Sequence, residues 1–519
     1  LAPAELKFLS KGLWIVNRVV ADFGSSLKKL LGDLRAEICS LPWAPWVALG
    51  ILCVGGAALR IKYLFIPMRY DEAQTYTIYA SRKVTDFLRD YSEPNNHIFH
   101  TLLVHASTRL FGSSEWAIRL PALVAGILLI PVTAFVFRKL FNTTVGLISA
   151  ALVAGSSILI EYSINARGYM MQVLFFVMLL ALARYLKWHA SLAGWVIFVV
   201  LSALGFYTIP TMLYPFGVVM GWLLLMAIFE PGGQDARTLT IRLIVAGFAT
   251  IALTLVFYSP VIIFHGFRPL ISNPWVEPLT WSGFLQGWPL SLQRIWMQWN
   301  RGLPIELRVA LSAGVLLYFA FYRGENRRQI ILLMAALLWL PLAVCLQRVI
   351  PFSRVWMFLV PLYLALAAGG YAAVAGLILP SISGRRGWCT IVGPVVVLLI
   401  AGLFVVRSRS VEISGEAFPS AREIASYFDE NLRDGDQIVG MFPGDLPILY
   451  YDQQPPKIRH SMFDLWGKSR RLLIVVRPSD QTPADVFRHW HIKAAEVDSP
   501  RLIRTFPGAA IYEAWYRVS

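Results

Sequence analysis

Acids are nearly absent from the long apolar segments of this sequence, and charge of either sign is scarce throughout. Only 15% of the 519 residues are charged, against 57% hydrophobic. A water-soluble chain of this length carries more charge and shorter apolar runs, so a purely soluble protein is excluded. Cysteine is scarce as well. Cys39, Cys53, Cys345 and Cys389 lie in or beside apolar segments, and no pair has metal-ligand spacing. Neither a disulfide framework nor a cysteine-based zinc site is expected. A nucleotide-binding fingerprint and an internal repeat are also missing.

What is present is a series of apolar segments. The first runs from about Trp43 to Phe65, long enough for a bilayer core of about 30 Å. Others lie near 119–137, 144–162, 170–187, 192–209, 211–229, 241–259, 304–321, 329–349, 354–378 and 389–406. The expected fold is a polytopic α-helical membrane protein with about 11 transmembrane helices. Placing the N-terminus in the cytoplasm makes every inner loop basic, from Arg138 and Lys139 to Arg385 and Arg386. That is the positive-inside pattern. Arg60 and Lys62 break it at the outer end of the first span, as do Arg294 and Arg301 in the outer loop 260–303. Such residues either hold an anionic substrate or snorkel to headgroups, which by itself would account for Arg60.

Charge is uneven along the chain. Residues 410–519 hold 13 Lys/Arg and 15 Asp/Glu, a net of −2; residues 1–409 hold 34 and 16, a net of +18. The basic excess sits with the membrane segments and points to anionic lipid as partner, not to nucleic acid. Residues 1–40 read as a cytoplasmic interfacial amphipathic helix, with Leu and Val at helical spacing between Lys and Arg. No signal-peptide cleavage site is evident before Trp43. The loop 260–303 carries Trp275, Trp281, Trp288, Trp296 and Trp299, which suits interfacial helices. Residues 41–406 form the expected transmembrane catalytic domain. Residues 407–519 form a small extracytoplasmic α/β domain, with helices expected near 420–432 and 483–490 and strands near 437–441, 472–477, 502–506 and 510–515.

The chain is organised around residues 67–100, the first outer loop. Asp71 and Glu72 follow the bilayer exit, and Glu93, Asn95, Asn96, His97 and His100 precede re-entry. Ionisable groups beside hydrocarbon are costly and usually have a task there. Asp71 or Glu72 is placed to take a proton from an acceptor hydroxyl, and Asp71 is also suited to cap a helix over 72–80. Glu93 and His97 are the candidate pair for a divalent metal ion. Pro94 disfavours a helix through them, and a third ligand would have to be His265 or Glu72. The favoured reading has Asn95, Asn96 and His97 hydrogen-bonding a substrate or orienting Asp71.

The stretches around Asp71-Glu72, EPNNHIFHTLL (93–103), RLFGSSEWAIRLPAL (109–123) and EYSINARGYM (161–170) together resemble membrane glycosyltransferases of the GT-C superfamily. The nearest likeness is to the family of protein O-mannosyltransferases and the lipid A aminoarabinose transferase. It covers roughly the first 200 residues and extends loosely to PFSRVWMFLVPLYLALAAG (351–369). Ile98 stands where the family usually has Pro after the histidine. The resemblance implies a GT-C-like fold and transfer of a sugar from a polyprenyl-phosphate donor to a hydroxyl acceptor of a lipid, glycan or protein. Transfer would take place at the outer face of the inner membrane, with inversion and with Asp71 as general base. A departing phosphate needs cations, for which Arg167, Arg354 and Lys62 are the candidates. Glu161 is expected to orient the acceptor, to position Arg167, or to form a structural pair with it. The competing class is a polytopic transporter, or a lipid-linked-glycan flippase or ligase. Transporters place ionisable groups near the bilayer midplane, whereas here the acids gather in outer loops.

Overall fold

The computed structural model describes residues 3–271, 275–321, 327–378, 402, 418–433, 435–452 and 471–517, with side chains from residue 17 onward. The chain divides into two compact units that do not follow chain order. One comprises Leu1–Leu59, Val124–Ile160 and Gly168–Ser410; the other comprises Arg60–Leu123, Glu161–Arg167 and Val411–Ser519.

The first unit is helical. Among the described residues, seven helices are long and apolar enough to cross a membrane: Trp43–Lys62, Glu115–Leu140, Tyr169–Trp188, Pro210–Phe229, Ala236–His265, Arg327–Gln347 and Ser353–Leu377. An eighth arises if Thr143–Gly155 and Ser157–Ser163, which meet at 62°, form one broken span. Two further expected segments form helices of 17 residues, Leu192–Thr208 and Ile305–Phe321. Segment 389–406 lies almost wholly outside the described residues. The described count is therefore seven or eight, below the 11 expected, because two helices fall short of a full span's length and one segment is not described.

Two details show how this unit packs. Helices Ile305–Phe321 and Val360–Ile378 approach closely at Gly314 and Gly370, where a Cβ on Gly370 would overlap the Gly314 carbonyl oxygen. Small residues allow such contact where lipid supplies no hydrophobic drive. The basic N-terminal stretch is one long helix, Pro3–Cys39. It docks through Ser26, which accepts the Ala193 amide (2.9 Å), Asp33, which accepts from Tyr185 (3.2 Å), and Glu37, which pairs with Lys139 (3.2 Å). The tryptophan-rich stretch 260–303 contains the amphipathic helix Trp281–Trp299, which buries Phe284 and Ile295 and exposes Leu285, Leu290 and Leu292.

The second unit is built on a four-stranded sheet. Its strands are β1 (Gln437–Val439), β2 (Arg471–Val476), β3 (Arg501–Phe506) and β4 (Ala509–Trp515), in spatial order β1-β2-β4-β3. β1 and β2 are parallel, and β4 runs antiparallel to both β2 and β3. Pro507-Gly508 closes the β3–β4 hairpin, with Gly508 at φ +73° where only glycine is unstrained. Both faces of β2 are buried, so it reads as a continuous apolar run rather than an alternation. Leu472, Ile474 and Val476 face Val486, Phe487 and Val497. Leu473 and Val475 face helix Ala421–Asn431 through Ile424 and Phe428. That second core also takes in Met68, Ala73, Ala80, Val104, Ile118 and Ala166. First-loop residues and C-terminal residues thus share one hydrophobic core. The expected C-terminal helices and strands form close to their expected bounds, and helix Asp445–Tyr451 is an addition.

Candidate active site

The site is built on the turn after the first span. Arg69 is extended, at φ −84° and ψ 160°, and a short helix Tyr70–Gln74 begins immediately after it. That helix passes into a π-helical turn, Thr75–Ala80. Such turns are rare and often mark functional positions. Thr75 and Thr77 donate back to the carbonyls of Asp71 (2.9 Å) and Ala73 (2.6 Å), competing with the regular ladder. Asp71 therefore sits in the first helical turn and is not the cap. The residue that reaches back is Glu72, whose Oε2 accepts the Arg69 amide at 3.1 Å.

The two neighbouring acids have opposite surroundings. Glu72 is fully buried, and each of its oxygens accepts two hydrogen bonds. Oε1 accepts from Arg119 Nε (2.8 Å) and the Ala166 amide (3.0 Å); Oε2 accepts from Arg119 Nη2 (2.7 Å) and the Arg69 amide. Burial alone would raise this carboxyl, but the Arg119 and Arg69 guanidiniums and the Ala166 amide hold it below the usual carboxylate range. Arg119 also donates to the carbonyls of Leu64 (2.6 Å), Ile66 (2.7 Å) and Pro67 (3.2 Å). Glu72 has no lone pair left for a substrate. Of the two acids expected to catalyse, it is a pin that fixes the turn.

Asp71 keeps 17% of its side chain exposed and pairs with Arg167. Glu161 lies beside Arg69: Oε1 is 3.9 Å from Nη2, and the Glu161 carbonyl accepts from Nη1 at 3.5 Å. Two bidentate-capable arginines thus stand on either side of the turn, one facing each acid of the pair Asp71 and Glu161.

The remaining expected residues are distributed as follows. Asn96 is buried and spends its amide on its own loop: Nδ2 donates to the carbonyls of Phe87 (2.9 Å) and Asp90 (2.6 Å), and Oδ1 accepts from Thr101 (3.0 Å). These contacts organise the loop. Asn95 donates to Gln74. His97 is buried at the start of helix Ile98–Phe111, with its carbonyl accepting the Thr101 amide (2.8 Å). Glu93 is half-buried, and its carbonyl accepts the Asn96 amide (3.3 Å). Among the described residues, no three His, Cys, Asp or Glu side chains come together as a metal-ligand group. Lys62 is exposed, with its ammonium 5.0 Å from the Tyr63 ring. Arg354 belongs to the helical unit, where its Nε donates to Tyr169 Oη (3.0 Å) and its guanidinium lies 4.7 Å from the Phe352 ring. Arg60 is fully buried and donates to Ser163 Oγ (3.0 Å), so it does not snorkel.

Sequence reasoning missed Arg69 and Arg119 as site residues. Both are basic residues at or just beyond the ends of apolar segments, the same signal that singled out Arg60 and Lys62.

Comparison with known proteins gives two findings. A model of the family described as dolichyl-phosphate-mannose-protein mannosyltransferase matches residues 94–264. The crystal structure of ArnT from Cupriavidus metallidurans in the apo state is similar, with a TM-score of 0.58 at 14% identity, covering 93% of this chain and 98% of that chain. The crystal structure of the same protein bound to undecaprenyl phosphate gives the same TM-score and identity, covering 90% and 98%. No curated protein matches by sequence.

Proposed function

We propose that this membrane glycosyltransferase of the GT-C superfamily takes a sugar from a polyprenyl-phosphate donor and passes it to a hydroxyl of a lipid, glycan or protein. Transfer takes place at the outer face of the inner membrane and inverts the anomeric carbon. The observation that carries this reading is the division of labour between Asp71 and Glu72. Glu72 is saturated with hydrogen bonds, while Asp71 is partly exposed and held by a single described ion pair. A lipid-linked donor is supported by the undecaprenyl phosphate bound in a protein of similar fold, and by the dolichyl-phosphate chemistry that the matching family model is named for.

In this mechanism Asp71 accepts the acceptor's hydroxyl proton as that oxygen attacks the anomeric carbon. The bond to the lipid phosphate breaks, and its electron pair leaves with the phosphate. Arg167 serves both partners. It holds Asp71 aimed beforehand. Once Asp71 is protonated, the guanidinium loses its counter-charge and turns to the anionic leaving group. Arg354 and Lys62 are further cations for the phosphate, while Glu93, His97 and Glu161 border the sugar and acceptor. The chain crosses the membrane about 11 times, with residues 1–40 cytoplasmic and residues 407–519 outside.

The test uses purified protein in detergent, offered polyprenyl-phosphate sugars one at a time. Wild type should release free polyprenyl phosphate from one of them. Asp71→Asn should bind that donor with turnover lowered by about 10²–10⁴-fold. Arg354→Ala should lose donor affinity while acceptor affinity holds. Wild type that binds no lipid-linked sugar, or Asp71→Asn turning over near the wild-type rate, would end this reading.

A further inference from the structure

Tyr451 stands at the end of helix Asp445–Tyr451, in the C-terminal part of the second unit. Its phenol accepts the backbone amide of Met68 at 3.0 Å and donates to Glu115 Oε1 at 3.1 Å. Burial raises this phenol to about 12, so it stays protonated and can donate while it accepts. Arg422 pairs with the same Glu115 oxygen and lies 5.1 Å over the Tyr451 ring. Beside it, Tyr450 donates to the Ser113 carbonyl at 2.7 Å and meets the Tyr76 ring edge-on. These contacts reach the two ends of one construction. Met68 lies three residues before Asp71. Glu115 lies four residues before Arg119, on the same face of the same helix. Arg119 holds Glu72 and the carbonyls of Leu64, Ile66 and Pro67.

We infer that Tyr451, supported by Arg422, is a positioning residue for Asp71: one phenol ties the backbone entering the Asp71 turn to the helix that supplies Arg119. This deepens the proposed function and rests on Asp71 being the base. The C-terminal segment then belongs to the catalytic unit. It is not an acceptor-binding appendage at this point, because the polar atoms of Tyr451 and Glu115 are turned toward each other and toward Met68. The turn is gripped from one side by the Arg119–Glu72 pin and from the other by the phenol.

Tyr451→Phe in the full-length protein keeps the ring and removes both hydrogen bonds. Two readouts separate positioning from bulk stability. Amide exchange in the Met68–Glu72 stretch should speed up about tenfold, while exchange in β2 stays as in wild type. Turnover should fall about tenfold with donor KM unchanged, since small misplacements of a reacting group are costly. Arg422→Ala alters a side chain 60% exposed, so it guards against a folding failure; a drop in kcat of about threefold is expected, again without change in donor KM. Wild-type exchange at Met68–Glu72 in Tyr451→Phe would overturn the inference. So would faster exchange there with wild-type kcat, or a loss of kcat matched by equal loosening of β2. A wild-type protein that transfers no sugar would sink the base assignment and the catalytic half of this inference. The exchange comparison would still decide whether the phenol holds the turn, so the two failures can be told apart.

Discussion

The two units are held together by different physics. In the helical unit, helices Ile305–Phe321 and Val360–Ile378 are joined by close contact, where Gly314 and Gly370 let them touch backbone to backbone. In the other unit, Arg60, Arg69, Glu72 and Arg119 are all fully buried, and the chain there is tied by charge-assisted hydrogen bonds. Buried ion pairs are a poor way to gain stability, because desolvation offsets most of the attraction. They are a good way to fix geometry, since each bond has a direction. The contrast teaches where placement matters. Helices embedded in lipid can be held by shape alone, whereas a loop that, on the proposed function, presents Asp71 to an acceptor needs its backbone nailed down.

The sharpest way to break this comparison is to neutralise the pin. Glu72→Gln leaves Arg119 buried without its counter-charge, which costs about 3–5 kcal/mol. Detergent-purified variant should show a large fall in unfolding temperature or fail to accumulate. Asp71→Asn, one residue away, should unfold near the wild-type temperature. Equal stability of Glu72→Gln and wild type would mean the network does not hold this unit together. The counterpart in the helical unit is Gly370→Ala. Its methyl would meet the Gly314 carbonyl oxygen, and overpacking of this kind costs about 1–3 kcal/mol. Turnover per folded molecule should be unchanged. A stabilised Gly370→Ala would show that the helices can part without loss.

Much of this was legible in the sequence because it follows from local pattern. Apolar runs marked the helices, and the C-terminal helices and strands form within a few residues of where the pattern put them. Helix Asp445–Tyr451 escaped because its seven residues, DLPILYY, carry a proline and no second turn of periodicity. The functional loop was legible as a place but not as an arrangement. Nothing local distinguishes Asp71 from Glu72. Their fates are decided by Arg119, 47 residues on from Glu72, and by Arg167, which binds the other acid. The pairings of Arg167 with Asp71 and of Arg69 with Glu161 are equally tertiary. The shared core of Met68, Ala73 and Ile118 with β2 joins segments some 350 residues or more apart, a separation at which no periodicity carries information.

The same unit holds a group that should make its stability depend on pH in a way the helical unit does not require. His100 is fully buried, and neither ring nitrogen has a hydrogen-bond partner among the described residues. Burial lowers its pKa from an ordinary value of about 6.5 to about 3, against the opposing pull of the Glu72 carboxylate. In the folded protein the ring is therefore neutral across this range, whereas in the unfolded chain it takes up a proton below about 6.5. Stability from this group is complete well above pH 6.5 and drains away as the pH falls toward 3, by at most about 1.4 kcal/mol per pH unit for one proton. His100→Gln removes the titration and keeps a neutral polar side chain. Other carboxylates titrate in both proteins and cancel when the two are compared. The stability advantage of wild type over His100→Gln, measured by thermal unfolding at pH 7.5, 6.5 and 5.5, should shrink by only about 0.4 kcal/mol over the first interval and by about 1 kcal/mol over the second. An advantage that is the same at all three values would mean that His100 is protonated in the folded protein as readily as in the unfolded chain, and that this interior admits the charge its other members are arranged to balance.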